Sequence, residues 1–592
     1  MTSGDARCGE SSDETKSVLV VDDDGGQRQG TSSHGSTSSE ASKPLLSVRT
    51  LLAVLAVCFI YFAQLVSLVG AGAQGQTIAG HFHDTQRVSW FSAPITILTV
   101  VLGPIVSQAA DYWGRKPFLV LLTLLGAVGS VIVARATSMG MAIAGFCVIG
   151  TSFGVQPLLH TVTSEVLPRR WRAHGQAANM VSNGLGSITG LLVGGALNRT
   201  GDPFGNGFRY YFYMGTGWYL LAAILCAAAY NPPATDRQRE FRGRPRSTRE
   251  RLRKLDWVGY FLLAAGLVLF CVGLSWSQAP YPWSDPHVSA TFAVGLTLAL
   301  ALVVYETWFK KDGMFHHGLF TSNRNFPIVL FCVFAEGVAF FAANTYYAFQ
   351  VSVLYEKDAL LVGTRYSIML ISSMLGATLT GVYCAITRKV RWVTVLAFAI
   401  FVAFFICMAT TDRHTNTPVW GYPVLLGFAL GMTLTSLITV GQLSTPPDLI
   451  AVASGLIISV RSLGGSIGIA IYNALFQDQM KHLSESIAQA VRGAGLNIHE
   501  GSIPDLVASL RGYDSADALG GTIPGVTAEV IKEGRISLQE THVLAFRHIW
   551  IAGGCFVALA TIVSAFLFDP EREFNMDVDA SVEKGKSRSN EE

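Results

Sequence analysis

Apolar runs of about 20 residues recur from about position 49 to about 568 and leave nowhere for a soluble core. At about 1.5 Å per residue, each run can cross a hydrocarbon layer of about 30 Å as a helix. Half of the 592 residues are hydrophobic and only 14% are charged. The spacing predicts fourteen spans, at about 49–72, 88–110, 117–136, 139–162, 176–197, 210–230, 256–277, 287–309, 327–352, 364–387, 392–411, 418–442, 450–476 and 545–568. The fold class is therefore an all-α polytopic membrane protein: a channel, a transporter, a receptor or a membrane enzyme. The charges and glycines between the runs choose among these.

Residues 1–48 are rich in Ser, Gly, Asp and Glu. They bury too little apolar surface to fold alone and are expected to form a disordered cytoplasmic tail. No cleavable signal peptide is visible, so span 1 is expected to serve as an uncleaved anchor. With the N-terminus inside, the short inner loops hold about 20 Lys and Arg and the short outer loops about 7, which satisfies the positive-inside rule. The largest inner cluster lies in the loop 231–255, between spans 6 and 7. It is either a topology determinant or a lipid-binding patch. An even span count puts the C-tail, 569–592, inside as well. The loop 477–543 is long and outside, with amphipathic pieces at Met480–Val491 and Pro504–Leu510. It reads as a lid, a receptor face or a poorly ordered segment.

The net charge of +2 suggests no nucleic-acid partner. Eight of nine cysteines sit inside apolar stretches, so no disulfides are expected, and no metal-ligand spacing appears. No Walker loop and no nucleophile elbow is present, which disfavours an ATP-driven pump and an enzyme. No cofactor is expected; the energy source would be a proton gradient.

A faint internal repeat runs through the chain. Pro168, Leu185, Gly186 and Gly190 recur as Pro446, Leu463, Gly464 and Gly468, since 446−168, 463−185, 464−186 and 468−190 all equal 278. This equates span 5 with span 13, the fifth spans of two six-helix halves, and leaves spans 7 and 8 as an inserted pair. The implied organisation is a six-helix bundle at 49–230, two inserted helices at 256–309 and a second bundle at 310–568.

Span 2 ends in Asp111-Tyr112-Trp113-Gly114-Arg115-Lys116, a carboxylate, a turn glycine and two cations in a very short inner loop. Gly114 permits a tight turn. Asp111 can accept hydrogen bonds at helix N-termini, and the cations can hold a headgroup or a partner carboxylate. Such a charge latch between bundles favours one of two rocking states.

Here the chain resembles the major facilitator superfamily, whose signature loop between helices 2 and 3 is matched by Asp111, Gly114, Arg115 and Lys116. Ser107 and Tyr112 depart from that pattern. The resemblance implies a major facilitator fold, with gating roles for these four residues. Gly186, Gly190, Gly194 and Gly195 in span 5 resemble the family's antiporter stripe, although Leu191 stands where a Pro is usual. A stripe of this kind also packs helices closely. The Arg that proton-coupled exporters of the superfamily carry in helix 4 is absent; Phe146 occupies its place.

Proton coupling must then rest on other intramembrane charges, which are costly and usually functional. Glu336 in span 9 and Arg461 in span 13 are predicted at similar depth, near the midplane. Either Glu336 titrates while Arg461 or substrate competes for it, or the two form a fixed structural ion pair. Gln64, Gln156, His160, Asn179, Asn183, Asn344 and Gln350 are candidates to line a central cavity. Phe340, Phe341, Tyr346 and Tyr347 are candidates for its apolar wall. Each polar residue could equally serve an interhelical hydrogen bond. Polar groups in apolar surroundings suit a small amphipathic organic substrate. His81, His83 and Asp84 could form a metal or pH site or simply be loop residues. Asn198 begins a glycosylation sequon at the membrane edge.

The resemblance narrows in the second half, on Leu255-Asp256-Trp257-Val258-Gly259-Tyr260, Arg324-Asn325-Phe326, Gln442-Leu443-Ser444-Thr445-Pro446-Pro447 and Arg461 to Gly468. These are similar to the fourteen-helix fungal branch typified by trichothecene efflux pumps, which also includes siderophore transporters. The expected function is proton-coupled export of a toxin, secondary metabolite or xenobiotic at the plasma membrane or, failing that, a vacuolar or vesicle membrane, by a monomer. Uptake of ferric siderophore is the alternative among transporters, and a non-transporting sensor is the alternative of another class.

Overall fold

The computed structural model describes residues 47–199, 206–232, 255–277, 282–310, 317–321, 323–356, 358–494 and 527–580, with 503, 506, 507 and 510. Nearly all of the expected tail 1–48 and of the basic loop 231–255 lies outside the described residues. Among the described residues, fourteen helices are long and apolar enough to cross a membrane. The first six are Val48–Gly72, Ala93–Trp113, Arg115–Ala134, Met139–Glu165, Arg169–Leu197 and Gly207–Ala229. The inserted pair is Trp257–Trp276 and Pro286–Phe309. The last six are Asn325–Leu354, Leu361–Thr387, Arg391–Ala409, Asn416–Leu443, Pro447–Gly493 and Glu529–Ser564. We number them spans 1 to 14.

Their outer faces carry exposed Leu121, Ile224, Phe261, Leu300, Ile386 and Ile562. Such a belt suits lipid, where water is absent and every backbone group is satisfied within a helix. Lipid supplies no hydrophobic drive for helix association, so close backbone approach at small residues does the packing. A Cβ on Gly186 would collide with the carbonyl oxygen of Phe62, and one on Gly464 with that of Phe334. Span 5 thus meets span 1 as span 13 meets span 9. The offsets, 464−186 = 278 and 334−62 = 272, differ only because the connecting segments differ in length. Spans 7 and 8 pack on each other through Gly266, Gly273 and Gly295. They dock beside span 2, where the Tyr260 hydroxyl donates to Gln108 Oε1 at 2.6 Å.

Several boundaries differ from the sequence reading. Span 4 is two helices, Met139–Ser152 and Gln156–Glu165, joined by one 3-10 turn. Pro157, which has no N–H to donate, falls in the first turn of the second piece. The span 5 helix begins at Arg172, one turn before the expected 176.

The largest difference concerns 477–543. The span 13 helix runs on to Lys481, a further helix covers Leu483–Gly493, and the span 14 helix already starts at Ala528. Leu483, Ile487 and Val491, at i, i+4 and i+8, form one face. They close a small apolar core with Leu506, Val507, Leu510, Val530 and Ile531. The described part of this outer segment is folded rather than loop-like.

Candidate functional site

The inner ends of the two halves meet in a buried knot of uncharged side chains. Ser164 Oγ donates to Gln442 Oε1 at 2.5 Å, and Gln176 Nε2 donates to Ser164 Oγ at 2.7 Å. Gln442 Nε2 donates to Ser454 Oγ at 2.8 Å and to the His160 carbonyl at 3.2 Å. Ser164 and Gln442 are repeat equivalents, as are Gln176 and Ser454, because 442−164 and 454−176 both equal 278. The knot lies on the internal two-fold, with Ser and Gln exchanging roles across it. Alongside, Ser459 Oγ donates to the Val100 carbonyl, and a Cβ on Gly455 would lie 2.9 Å from Ser107 Oγ. Spans 2 and 13 are therefore in backbone-close contact, and the inner side is shut.

Above this seal lies a cavity of about 710 Å³. Tyr61, Phe153, Gln156, Asn183, Phe340, Phe341, Asn344, Tyr366 and Arg461 line its depths. Gly72, Ser92, Thr96, Gly195 and Asp358 line its outer reach, at the ends of spans 1, 2, 5 and 10 that lie away from the Asp111–Lys116 loop. The structure is thus closed at the end that carries the Asp111–Lys116 loop, with its cavity extending toward the opposite end. Mixed aromatic walls with a few convergent polar groups suit a drug-sized organic molecule.

Among the lining residues, Arg461 is the only cation and Asp358 the only carboxylate. Arg461 Nε and Nη2 donate to Glu336 Oε2 and Oε1 at 2.6 and 3.0 Å, a bidentate pair. The Glu336 side chain is 0% exposed, behind the guanidinium, whereas Arg461 is 15% exposed on the cavity side. The guanidinium also lies over the Phe340 ring, 4.8 Å from its centroid. A bound molecule can touch Arg461 but not Glu336. The repeat equivalent of Arg461 is Asn183 (461−183 = 278), whose Nδ2 donates to the Tyr61 hydroxyl at 3.2 Å. Tyr366 and Asn344, the latter one turn along span 9 from Phe340, are hydrogen-bonded to each other.

The other candidates lie elsewhere. Gln64 donates to the Ser152 carbonyl at 2.7 Å, and His160 pairs with Gln176 at 2.6 Å. Asn179 donates to Thr163 Oγ1 at 3.0 Å, while Gln350 donates to Thr411 and accepts from Trp550, both at 2.7 Å. All four are buried in interhelical hydrogen bonds and do not line the cavity. Tyr346 packs on Tyr472 and Phe476, and the Tyr347 hydroxyl donates to the Val419 carbonyl. Helical register decides this: a polar residue one position off the cavity stripe turns toward a neighbouring helix.

Gly114 takes φ 93°, a conformation open to glycine, and this turn aims Arg115 back along span 2. Arg115 pairs with Glu165 at the end of span 4 and lies 3.5 Å from Asp111. Lys116 Nζ donates to the Ala227 carbonyl at 2.6 Å and to Asn231 Oδ1 at 2.5 Å, at the end of span 6. The partners of both cations therefore lie in the first bundle, and the expected latch from these cations to the second bundle is not formed in this state. Arginine contacts that cross between bundles come instead from the next inner turn. Arg170 Nε donates to the Ala385 carbonyl at 3.0 Å, and Arg172 Nη1 to the Gln442 carbonyl at 3.5 Å.

The glycine stripe of span 5 serves close packing: a Cβ on Gly190 would press on Val69 and the Tyr211 hydroxyl, and the Gly194 carbonyl accepts from Gln74 at 3.0 Å. Gly195 alone of the four reaches the cavity. Asp84 pairs with Arg87 at 3.5 Å, and no metal-competent cluster exists among the described residues. The side chain of Asn198 lies outside the described residues. Ser164, Gln176, Ser454, Tyr61 and Tyr366 were not singled out from sequence. Extending the 278-residue offset to polar positions would have found the first three.

Twelve helices in two related bundles around one cavity, plus an inserted pair, define a major facilitator transporter. The fold is similar to that of the human organic anion transporter MFSD10 (TETRAN), at a TM-score of 0.51 and 12% identity over 86% of this chain and 99% of that one. It is likewise similar to the proton:xylose symporter XylE, at 0.52 and 10% over 87% and 94%. The profile of the fungal trichothecene efflux pump family, TRI12, matches residues 42–571, and the chain belongs to that family. It is 23% identical to the trichothecene efflux pump TRI12 of Fusarium sporotrichioides, over 79% of this chain and 77% of that one. It is 24% identical to the efflux pump apf11 of Gibberella fujikuroi, over 69% and 72%. The chain is thus a multi-pass membrane transporter, not an enzyme, and these two relatives are efflux pumps.

Proposed function

We propose that this transporter exports a neutral, oxygen-bearing amphipathic secondary metabolite or xenobiotic across the plasma membrane in exchange for protons. The observation that carries the reading is the Glu336–Arg461 pair in the cavity wall. With Glu336 ionised, Arg461 is held to the wall and the pair adds no net charge, so an uncharged cargo fits. A proton arriving from outside neutralises Glu336 and breaks the bidentate pair. The freed guanidinium then turns into the cavity and competes for the space of the cargo's polar groups. Cargo leaves, the carrier reopens inward, Glu336 loses its proton to the cytosol, and the wall re-forms. Proton and cargo occupy the carrier in alternation, which is exchange. The whole cavity is built within one chain, which supports a functional monomer.

The test uses transporter-deficient yeast expressing the chain. One arm loads cells with a panel of fungal toxins and follows their retention; the other follows uptake of radiolabelled ferric siderophores. Each is repeated with a protonophore. Faster toxin loss that the protonophore abolishes is the expected result. Protonophore-sensitive iron accumulation would reverse the direction, and no flux of either kind would favour a sensor.

A further inference from the structure

The described residues after span 14, as far as Ala580, stay on the protein. Asp569 Oδ1 accepts the backbone N–H groups of Val390 and Arg391 at 2.6 and 2.8 Å, capping span 11 in the second half. Glu571 lies 3.9 Å from Lys389 in the same turn. The chain then crosses to the first half. Phe574 is 1% exposed within the main apolar core. The N–H groups of Arg169 and Arg170 donate to the carbonyls of Asp577 and Asn575 at 2.9 and 2.8 Å. Ala580 N–H donates to the Glu165 carbonyl at 2.9 Å. Arg169 pairs with Glu573 at 2.7 Å and with Asp579 at 2.9 Å, and Asp579 also pairs with the buried Arg172.

These contacts lie beside the Ser164–Gln442 knot. Glu165 follows Ser164 directly, and Arg172 donates to the carbonyls of both Ser164 and Gln442, at 3.2 and 3.5 Å. A strand fixed to one half and gripped by the other must let go of one of them when the inner side opens. The uncharged knot holds the halves by ordinary hydrogen bonds, whereas this segment adds three ion pairs and an anchored aromatic ring.

We propose that Arg169, Arg170 and Arg172 form a peptide-binding site whose occupant is this chain's own segment 571–580, and that its occupation locks the inner gate shut. Release of the segment accompanies each inward opening, and its loss shifts the resting carrier toward the inward-open state. The charge pattern suits this occupant: acidic Glu573 and Asp579 pair with Arg169 and Arg172, while Arg170 holds the segment by its backbone N–H.

The test measures the gate itself and needs no cargo. Spin labels on unnatural amino acids at the exposed positions 117 and 386 report the separation of spans 3 and 10 at their inner ends. Full-length protein in nanodiscs is compared with Asp579→Asn and with a chain ending at residue 570. The expected result is a wide-to-narrow ratio raised about tenfold by the truncation and by a smaller factor in Asp579→Asn. A synthetic peptide of residues 569–592, added to the truncated protein, should restore the narrow distance where a scrambled peptide does not. An unchanged distance distribution in both variants overturns the proposal. Widening that the peptide fails to reverse also overturns it, because the truncation then acts by loosening the fold. Should the truncated chain fail to fold, Asp579→Asn alone decides by the same criterion.

Discussion

The two halves agree at the inner gate and disagree at mid-depth. At the gate, Ser164 and Gln176 of one half answer Gln442 and Ser454 of the other, all uncharged and all buried. Near the cavity floor the equivalent positions are Asn183 and Arg461. One holds a tyrosine hydroxyl, the other a buried carboxylate. Symmetric parts of a two-bundle carrier are those that both states use in turn. An asymmetric charge has no counterpart to exchange roles with, which is why the proposed proton coupling is assigned to it. The same division separates packing, which glycines at 186 and 464 share, from chemistry, which only one half carries.

That comparison is most sharply broken at Glu336. Glu336→Gln removes the proposed titrating group while keeping its shape, and proton-gradient-driven flux in proteoliposomes should fall by about two orders of magnitude, with weakened cargo binding because Arg461 is no longer held to the wall. Full pH-driven flux in this variant would make the pair purely structural. Next in size is Arg461→Ala, which strands a buried carboxylate. It should cost about 3–5 kcal/mol of stability in detergent melts, with much of the loss recovered in the double variant Glu336→Gln/Arg461→Ala. Asn183→Ala, the equivalent change in the other half, should cost about 1 kcal/mol.

The symmetric side makes smaller predictions. Ser164→Ala and Gln442→Ala should each weaken the closed gate by about 1 kcal/mol, read as a modest shift of the inner-gate distance. The double variant should show less than the sum, since the two share one hydrogen bond. Additive effects would mean that the knot is two independent contacts. Smallest of all, Asn344→Ala should raise the KM for cargo by about fivefold and leave pH dependence unchanged.

Much of this was legible in the sequence, and the parts that were not share a physical cause. Apolar runs of span length and the Asp111–Lys116 loop carry strong local signals, so the fourteen spans and the family could be read directly. Glu336 and Arg461 stood out because a charge in an apolar run has few explanations. Gln64, His160, Asn179 and Gln350 carry no such mark. A neutral polar side chain is equally at home on a cavity wall or between helices, and a rotation of one residue decides which. The folded part of 477–543 was hidden because its core joins pieces distant in sequence, Leu483 to Val491 with Val530 and Ile531. The gripping of Arg169 and Arg172 by residues around 573–579 was hidden for the same reason: short acidic stretches near a chain end are common, and only the fold brings this one to its arginines.

The bidentate pair of Glu336 and Arg461 has an electrical consequence. An ionised pair carries no net charge, so a carrier turning in that form does no work against the membrane potential. On the proposed scheme the protonated form carries one positive charge through the field, worth about 2.3 kcal/mol per 100 mV. Voltage would then accelerate only the return stroke, and a neutral cargo would be exported electrogenically.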